Sequence, residues 1–130
     1  MTHLFQVSVF YEDTDFSGVV YHVNYLKFIE RARSKAVAAS GIVQGDLKNE
    51  NKFFAVKNLS ANFLKPAYFD DRLLVSTRIT EIRRASVFLQ QDIFKGSNKI
   101  FSSDVQLVLV SFGKPIPFPN QMRKNFGQLI

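Results

Sequence analysis

Two aspartates lie close together in the most acidic segment of the chain. Asp13 and Asp15 belong to residues 12–18, which follow a first stretch with no lysine, arginine or carboxylate. A carboxylate can attack a carbonyl carbon or take a proton from water. The residues after Gly18 lead into a predicted helix, whose free N-terminal N–H groups can hold a developing negative charge. Because aspartate is also common in turns and helix caps, spacing alone leaves a structural role and a chemical role open.

A strand and a long helix must position this acidic loop. Alternating apolar residues predict a strand from about Leu4 to Tyr11. Helical spacing of apolar residues predicts a helix from about Asn24 to Ser40, which Gly41 ends. Its apolar stripe consists of Leu26, Ile29, Ala32, Ala36 and Ala39, broadened by Phe28 and Val37. The opposite face carries Lys27, Glu30, Arg31, Arg33 and Lys35, and we expect it to be solvated or to face a partner.

The rest of the chain is predicted to form mainly strands. A polar loop is predicted between Gln44 and Lys52, followed by strands at about Phe53–Leu64, Arg72–Ile82, Ser86–Phe94 and Ile100–Phe112. Residues 95–98 are typical of a hairpin turn, and Asn120 is expected to cap a short final helix. The order β-α-β-β-β-β predicts an α+β fold, with one long helix wrapped by a five-stranded, mainly antiparallel sheet in a single domain, residues 1–130.

Composition narrows the classes of function. The chain has 130 residues, no cysteine and only two histidines. A cysteine nucleophile and disulfide bonds are therefore excluded, and we expect no metal site and no cofactor. Its apolar runs are too short to span a bilayer, and no basic, apolar leader resembles an export signal, so we expect no membrane span and a cytoplasmic location.

The charge balance favours an anionic partner. The net charge is +6, but lysine and arginine are dispersed and accompany no nucleic-acid motif, so nucleic-acid binding is a weaker alternative. Arg83 and Arg84 lie at a predicted strand junction. Two such cations usually belong to a solvated edge with no specific ligand, although arginine also binds phosphate in bidentate fashion.

Several segments resemble one enzyme family. The run from Tyr11 to Leu26, YEDTDFSGVVYHVNYL, resembles the signature of the 4-hydroxybenzoyl-CoA thioesterase family, most closely the bacterial acyl-CoA thioesterases encoded beside the Tol–Pal envelope system. The similarity continues through residues 30–34, 63–67, 70–71, 79–86 and 115–117, in order along nearly the whole chain.

The resemblance implies a hotdog fold, dimers or tetramers, and hydrolysis of acyl-CoA at a subunit interface. It implies that Asp15 is the catalytic carboxylate and that the oxyanion amide falls at His22, whose side chain also belongs to this branch's pattern. Tyr21 and Asn24 are candidates for positioning substrate, and the similarity implies coenzyme A contacts near Arg83, Arg84 and Ser86. Phe16 and Ser17 occupy a variable pair of positions.

Thioester hydrolysis is chemically reasonable for such a site. A thiol with a pKa near 8.5 leaves as thiolate with little acid assistance, so addition to the carbonyl is the demanding step. Two other classes compete with this interpretation. One is a binding protein that engages acyl carrier protein without catalysis. The other is a dehydratase, which the absence of a second histidine in the motif disfavours.

Overall fold

One antiparallel sheet forms the body of the molecule. A computed structural model describes residues 1–130. The strands are β1 His3–Ser8, β2 Lys52–Phe63, β3 Arg72–Ile82, β4 Val87–Lys95, β5 Asn98–Ser111 and β6 Lys114–Ile116. They lie in the order β1-β3-β4-β5-β2, and β6 pairs with β5. The sheet wraps around one helix, as the sequence predicts.

Helix α1, His22–Ala39, packs on the concave face of the sheet. Its buried residues include Phe28, Ile29, Ala32 and Ala36, all fully enclosed. Alternate residues of β3, among them Leu73, Val75 and Ile79, face the helix. Burying this much apolar surface is the main favourable contribution to folding. Two short helices complete the chain, α2 Gln44–Asn49 and α3 Asn120–Gly127.

The structure corrects several predicted boundaries. The sheet has a sixth strand, β6, because residues after the turn at Phe112 and Gly113 fold back on β5; three residues gave no alternation to detect. The segment predicted as a loop between Gln44 and Lys52 contains α2. Strand β1 ends at Ser8, and Tyr11–Asp13 form a single 3₁₀ turn. Helix α1 begins at His22, and Pro119, rather than Asn120, stands at the N-cap of α3.

Arg33 is a second correction, since its predicted place was the outer face of the helix. It is buried, and its Nη1 donates to Oε1 of Gln91 at 2.9 Å. Gln91 in turn donates to Oγ1 of Thr77 at 2.9 Å and to the carbonyl of Ile29 at 2.8 Å. Burial lowers the pKa of Arg33. A polar contact on the sheet therefore draws this cation inward.

Two ends of the molecule matter for function. At the acidic-loop end, residues 9–21 pair with the segment before β3: the Val20 N–H donates to the Ala67 carbonyl at 2.8 Å. At the α3 end, Gln128 Nε2 donates to the carbonyl of Ser40, just after α1. The 18 residues of α1 separate these ends by about 27 Å, at 1.5 Å per residue.

Strand β2 is a long open edge. It pairs only with β5, so one side of its 12-residue backbone has no strand partner. Phe53, Val56 and Phe63 are exposed along it. None of the helices has the length and apolar character required to cross a bilayer.

Candidate active site

The acidic loop is a tight, well-bonded turn. Thr14 and Val20 form a bridge, and inside it the Asp15 N–H donates to the Val19 carbonyl at 2.9 Å. The Gly18 N–H closes the turn on the Asp15 carbonyl at 3.0 Å. Gly18 has φ +87°, a left-handed conformation that residues with a Cβ rarely adopt. The loop therefore holds Asp15 at a fixed place near the start of α1.

Asp13 is buried beneath the loop, with 4% of its surface exposed. Its Oδ2 accepts the Phe10 N–H and its Oδ1 accepts Nδ2 of Asn24, both at 2.8 Å. The carbonyl of Asp13 accepts the Tyr21 N–H at 2.8 Å. Asp13 is thus bonded to the residue before the 3₁₀ turn, to the N-cap residue of α1 and to the first turn of α1. Both of its carboxylate oxygens are occupied in doing so.

Asp15 presents the opposite situation, because its carboxylate is exposed to solvent. Only Oδ1 has protein partners: it accepts the hydroxyl of Ser17 at 2.6 Å and the Ser17 N–H at 2.8 Å. These bonds to Ser17 hold the pKa of Asp15 below its ordinary value of 3.8, and the nearby His22 lowers it further. Oδ2 is left free to accept a proton or to attack a carbon.

The N-terminus of α1 offers hydrogen-bond donors beside this loop. Tyr21, the N-cap residue, makes no capping bond with its side chain. The backbone N–H groups of His22 and Val23 donate to no protein group. Unpaired N–H groups at a helix N-terminus favour negative charge, so this position suits the oxyanion of a tetrahedral intermediate.

Aromatic rings surround the start of the helix. The exposed ring of His22 lies edge-on to Tyr21, with centroids 4.6 Å apart, and edge-on to Phe63 of β2 at 6.2 Å. Phe63 also packs on Tyr25 and on Phe101. The site therefore has an apolar wall on the side of the open β2 edge.

The predicted site residues fall into two groups. Asp15, Tyr21 and His22 lie together, and Asn24 lies beneath them, buried and bonded to Asp13. Asn24 positions the loop through this bond to Asp13, and 7% of its surface is exposed.

Arg83, Arg84 and Ser86 form the second group, at the turn between β3 and β4. Arg83 donates to the Glu81 carboxylate from Nε at 2.8 Å and from Nη2 at 3.3 Å, and this contact raises the pKa of Arg83. The Arg83 N–H bonds the Ser86 carbonyl at 2.8 Å, and Ser86 Oγ accepts Nε2 of Gln106 at 3.0 Å. This turn lies at the α3 end, far from the Asp15 loop of the same chain.

Two contributors to the site were not predicted. Ser17 is one, although a serine two residues after an aspartate is a recognisable turn pattern. Phe63 is the other, and only the pairing of β2 with β5 brings it to His22. Of the two phenylalanines nearest to these residues in sequence, Phe28 lies in the core, whereas Phe16 is fully exposed at the tip of the loop.

Residues 17–101 match the family model described as Thioesterase superfamily, which is more than half of the chain. The chain belongs to the thioesterase superfamily. The match agrees with the geometry, since it begins inside the acidic loop and contains the whole of α1.

Relatives across this superfamily agree in sequence and in structure. The Acyl-CoA thioesterase YbgC of Haemophilus influenzae is 35% identical over 96% of this chain and 94% of its own length. The Acyl-CoA thioester hydrolase YbgC of Escherichia coli O6:H1 is 37% identical over 94% and 93%. A crystal structure of a probable thioesterase from Bartonella henselae superposes with a TM-score of 0.83 at 39% identity, covering 91% of this chain and 98% of that one.

These matches confirm the predicted hotdog fold. They also agree with the Tol–Pal-associated branch that the sequence motifs resemble, because the relatives above include two named YbgC.

Proposed function

We propose that this chain is an acyl-CoA thioesterase, which hydrolyses an acyl-CoA to the free acid and coenzyme A. The observation that carries the proposal is the exposed, ionised carboxylate of Asp15 beside the uncapped N-terminus of α1. The relatives named as acyl-CoA thioesterases support coenzyme A as the thiol. No triad of serine, histidine and acid is required, because a thiolate leaves readily.

Two routes are open to Asp15. As a general base, it takes a proton from a water molecule whose oxygen adds to the thioester carbonyl, and the tetrahedral intermediate then breaks its C–S bond and expels the thiolate. As a nucleophile, its free oxygen adds to the carbonyl and expels the thiolate, and water then hydrolyses the resulting anhydride. In both routes the carbonyl oxygen becomes negative and is held by the N–H groups of His22 and Val23. We propose that the imidazole of His22, which lies against Tyr21 and Phe63, helps to orient the substrate.

We propose that a second copy of the chain completes each site. A pantetheine arm has about as many chain atoms as five residues, and so spans roughly 17 Å when fully extended. Arg83 and Arg84 lie at the far end of α1 from Asp15, beyond that reach. We therefore propose that Arg83 and Arg84 of one subunit contact a coenzyme A molecule whose thioester lies at the Asp15 of another subunit.

The open edge of β2 supports assembly as a homodimer or homotetramer. Long unpaired edges are usually covered by another strand, and antiparallel pairing of β2 with its copy would bring the α3 end of one chain toward the acidic loop of the next. On dilution through the dissociation range, activity per subunit should therefore fall. A monomer with full specific activity, identified by sedimentation, would contradict shared sites.

Acyl carrier protein is a second candidate for the thiol part of the substrate. Its acyl groups hang from the same kind of pantetheine arm, so the Asp15 site would meet the same thioester. We propose it as an alternative partner, and comparing kcat/KM for acyl-CoA and acyl carrier protein carrying the same acyl group would rank the two.

A hydrolysis screen tests the proposed function. Purified protein should release free thiol from short, long or aromatic acyl-CoA esters, and Asp15→Asn should abolish most of that release. Absence of hydrolysis with every acyl-CoA would favour a binding role instead.

A further inference from the structure

Arg33 is a buried cation that forms no ion pair with any carboxylate of the chain. Only 9% of its surface is exposed. Its Nη1 donates to Gln91, whereas Nε and Nη2 have no hydrogen-bond partner and are not closed off from solvent. Gln91 is fixed in its orientation, because its Nε2 donates to Ile29 and to Thr77. Arg33 therefore has a fixed guanidinium with two nitrogens free to donate to a ligand.

A cavity opens beside this guanidinium, between α1 and the sheet. It has a volume of about 210 Å³. Arg33 and Glu30 line it from the helix, and Phe54, Val56 and Leu107 line it from β2 and β5. An apolar wall with a few fixed polar groups is typical of a pocket for a small ligand that is apolar along its length and polar at one end.

The cavity lies on the same side of the sheet as the apolar wall of the candidate active site. Phe63, which belongs to that wall, and Ala61 point to the same face of β2, because side chains alternate along a strand. Ala61 pairs with Ser103, and Ser103 pairs with Gln91. The contact between Gln91 and Arg33 therefore lies in the row next to Phe63, about 7 Å further along the strand.

The distance from the helix N-terminus to Arg33 suits an acyl chain. Gln91 bonds both the guanidinium and the Ile29 carbonyl, so the guanidinium lies level with Ile29. The rise from His22 to Ile29 is about 10 Å along the helix axis. Three extended residues, or about nine chain atoms, cover the same length. An acyl chain of that size, with its thioester at Asp15, would place its far end beside Arg33.

We infer that Arg33 selects acyl groups that carry a carboxylate at the end opposite the thioester. This inference rests on the proposed function and names the class of acyl group that the site takes. Nε and Nη2 share one edge of the guanidinium plane, and such an edge binds a carboxylate through two parallel, charge-assisted hydrogen bonds.

Glu30 is the other charged group that faces the cavity. Its side chain is exposed, and its Oε1 accepts the hydroxyl of Ser34 at 3.0 Å. Water and this bond weaken its repulsion of a second carboxylate. A buried cation gains more from an opposite charge than an exposed anion loses, because the buried side is screened less.

Matched substrates test the inference on the wild-type protein. The mono-CoA thioester of decanedioic acid carries a free carboxylate, which its methyl ester lacks. We expect kcat/KM for the free acid to exceed that for the methyl ester by about tenfold to a hundredfold. Arg33→Met should bring this ratio close to one, and Arg33→Lys should retain part of it. Equal kcat/KM values for the two substrates in wild-type protein would overturn the inference.

Arg31→Met is the matched control. Arg31 is an exposed arginine of the same helix with no ion pair, so the variant loses the same charge outside the cavity. Its ratio should equal that of the wild type. If Arg31→Met lowers the ratio as much as Arg33→Met does, the effect comes from net charge and the inference is refuted. Thermal melts of the variants establish whether the loss of the bond to Gln91 leaves the fold intact.

The outcomes separate this inference from the proposed function. If wild-type protein hydrolyses neither substrate and no other acyl-CoA, the proposed function fails. If it hydrolyses the free acid and the methyl ester equally well, the proposed function stands and only the selection by Arg33 fails. The comparison in wild-type protein does not depend on the stability of any variant.

Discussion

Asp13 and Asp15 are separated by a single residue, yet their surroundings differ in almost every respect. Asp13 is buried, and its two oxygens accept bonds from Phe10 and Asn24. Asp15 is exposed, and one oxygen remains free while Ser17 holds the other. One carboxylate stabilises the loop, and the other is available for reaction.

The difference shows how one short motif can serve both structure and chemistry. A buried carboxylate must be hydrogen-bonded, and one that the protein encloses does not face a substrate. The alternation of exposure along the loop, with Asp13 inward and Asp15 outward, separates the two tasks. The bonds made by Asp13 give the free carboxylate a defined position beside the helix N-terminus.

Substitution of the exposed aspartate should have the largest effect. Asp15→Asn keeps the volume of the side chain but removes its ability to act as base or nucleophile, so kcat should fall on the order of 10²–10⁴-fold. The melting temperature and the oligomeric state should stay as in the wild type. Steady-state assays with free-thiol detection measure the effect, and a variant with near-normal kcat would refute the role assigned to Asp15.

The buried aspartate should respond in stability more than in chemistry. Asp13→Asn replaces an acceptor oxygen by an NH₂ group that faces a donor, so the free energy of unfolding should drop by about 1–3 kcal/mol. The folded fraction should retain far more activity than Asp15→Asn. Chemical denaturation combined with kinetic assays separates the two effects.

A double-mutant cycle sharpens this prediction. Asn24→Ala removes the other half of the same hydrogen bond, so its cost and that of Asp13→Asn should be strongly non-additive. Additive costs would show that the two residues act independently, and the anchoring role of Asp13 would then be wrong.

The smallest expected effect concerns the pH dependence of the exposed aspartate. Its bonds to Ser17 lower the pKa of Asp15, so the ionised form persists until the pH falls below the ordinary value of 3.8. Ser17→Ala removes the hydroxyl bond and keeps the backbone bond. The pKa should rise, and the acid limb of the kcat/KM profile should move to higher pH. An unmoved limb would mean that another group controls it.

The sequence predicts those parts of the site that are local along the chain. Asp15, Tyr21 and His22 are brought together by one loop and one helix start, and the motif that contains them is distinctive. The long strands and α1 were also predictable, because their apolar periodicity is sustained. The contact between His22 and Phe63 was not, since it depends on how β2 is placed in the sheet.

The buried polar contacts could not be predicted from the sequence. The helical pattern places Arg33 on the solvated face of α1. Its burial is explained only by its hydrogen bond to Gln91, which lies on β4, far away in sequence. The hydrogen bond from the Asn24 amide to the buried Asp13 was likewise not predicted from the sequence. In both cases the partner across the fold decides the role, and no local pattern encodes it.

The central claim is that Asp15 of one chain acts on a coenzyme A thioester held by a second chain. Mixing Asp15→Asn in equal amounts with the double variant Arg83→Gln, Arg84→Gln tests it most directly. After joint dissociation and reassembly, half of the dimers are mixed, and each has one site with both an intact Asp15 and intact arginines at the turn between β3 and β4. Activity at low acyl-CoA should therefore recover to about a quarter of the wild-type value. Activity no higher than the average of the two separate variants, with mixed dimers verified by mass spectrometry, would contradict the account.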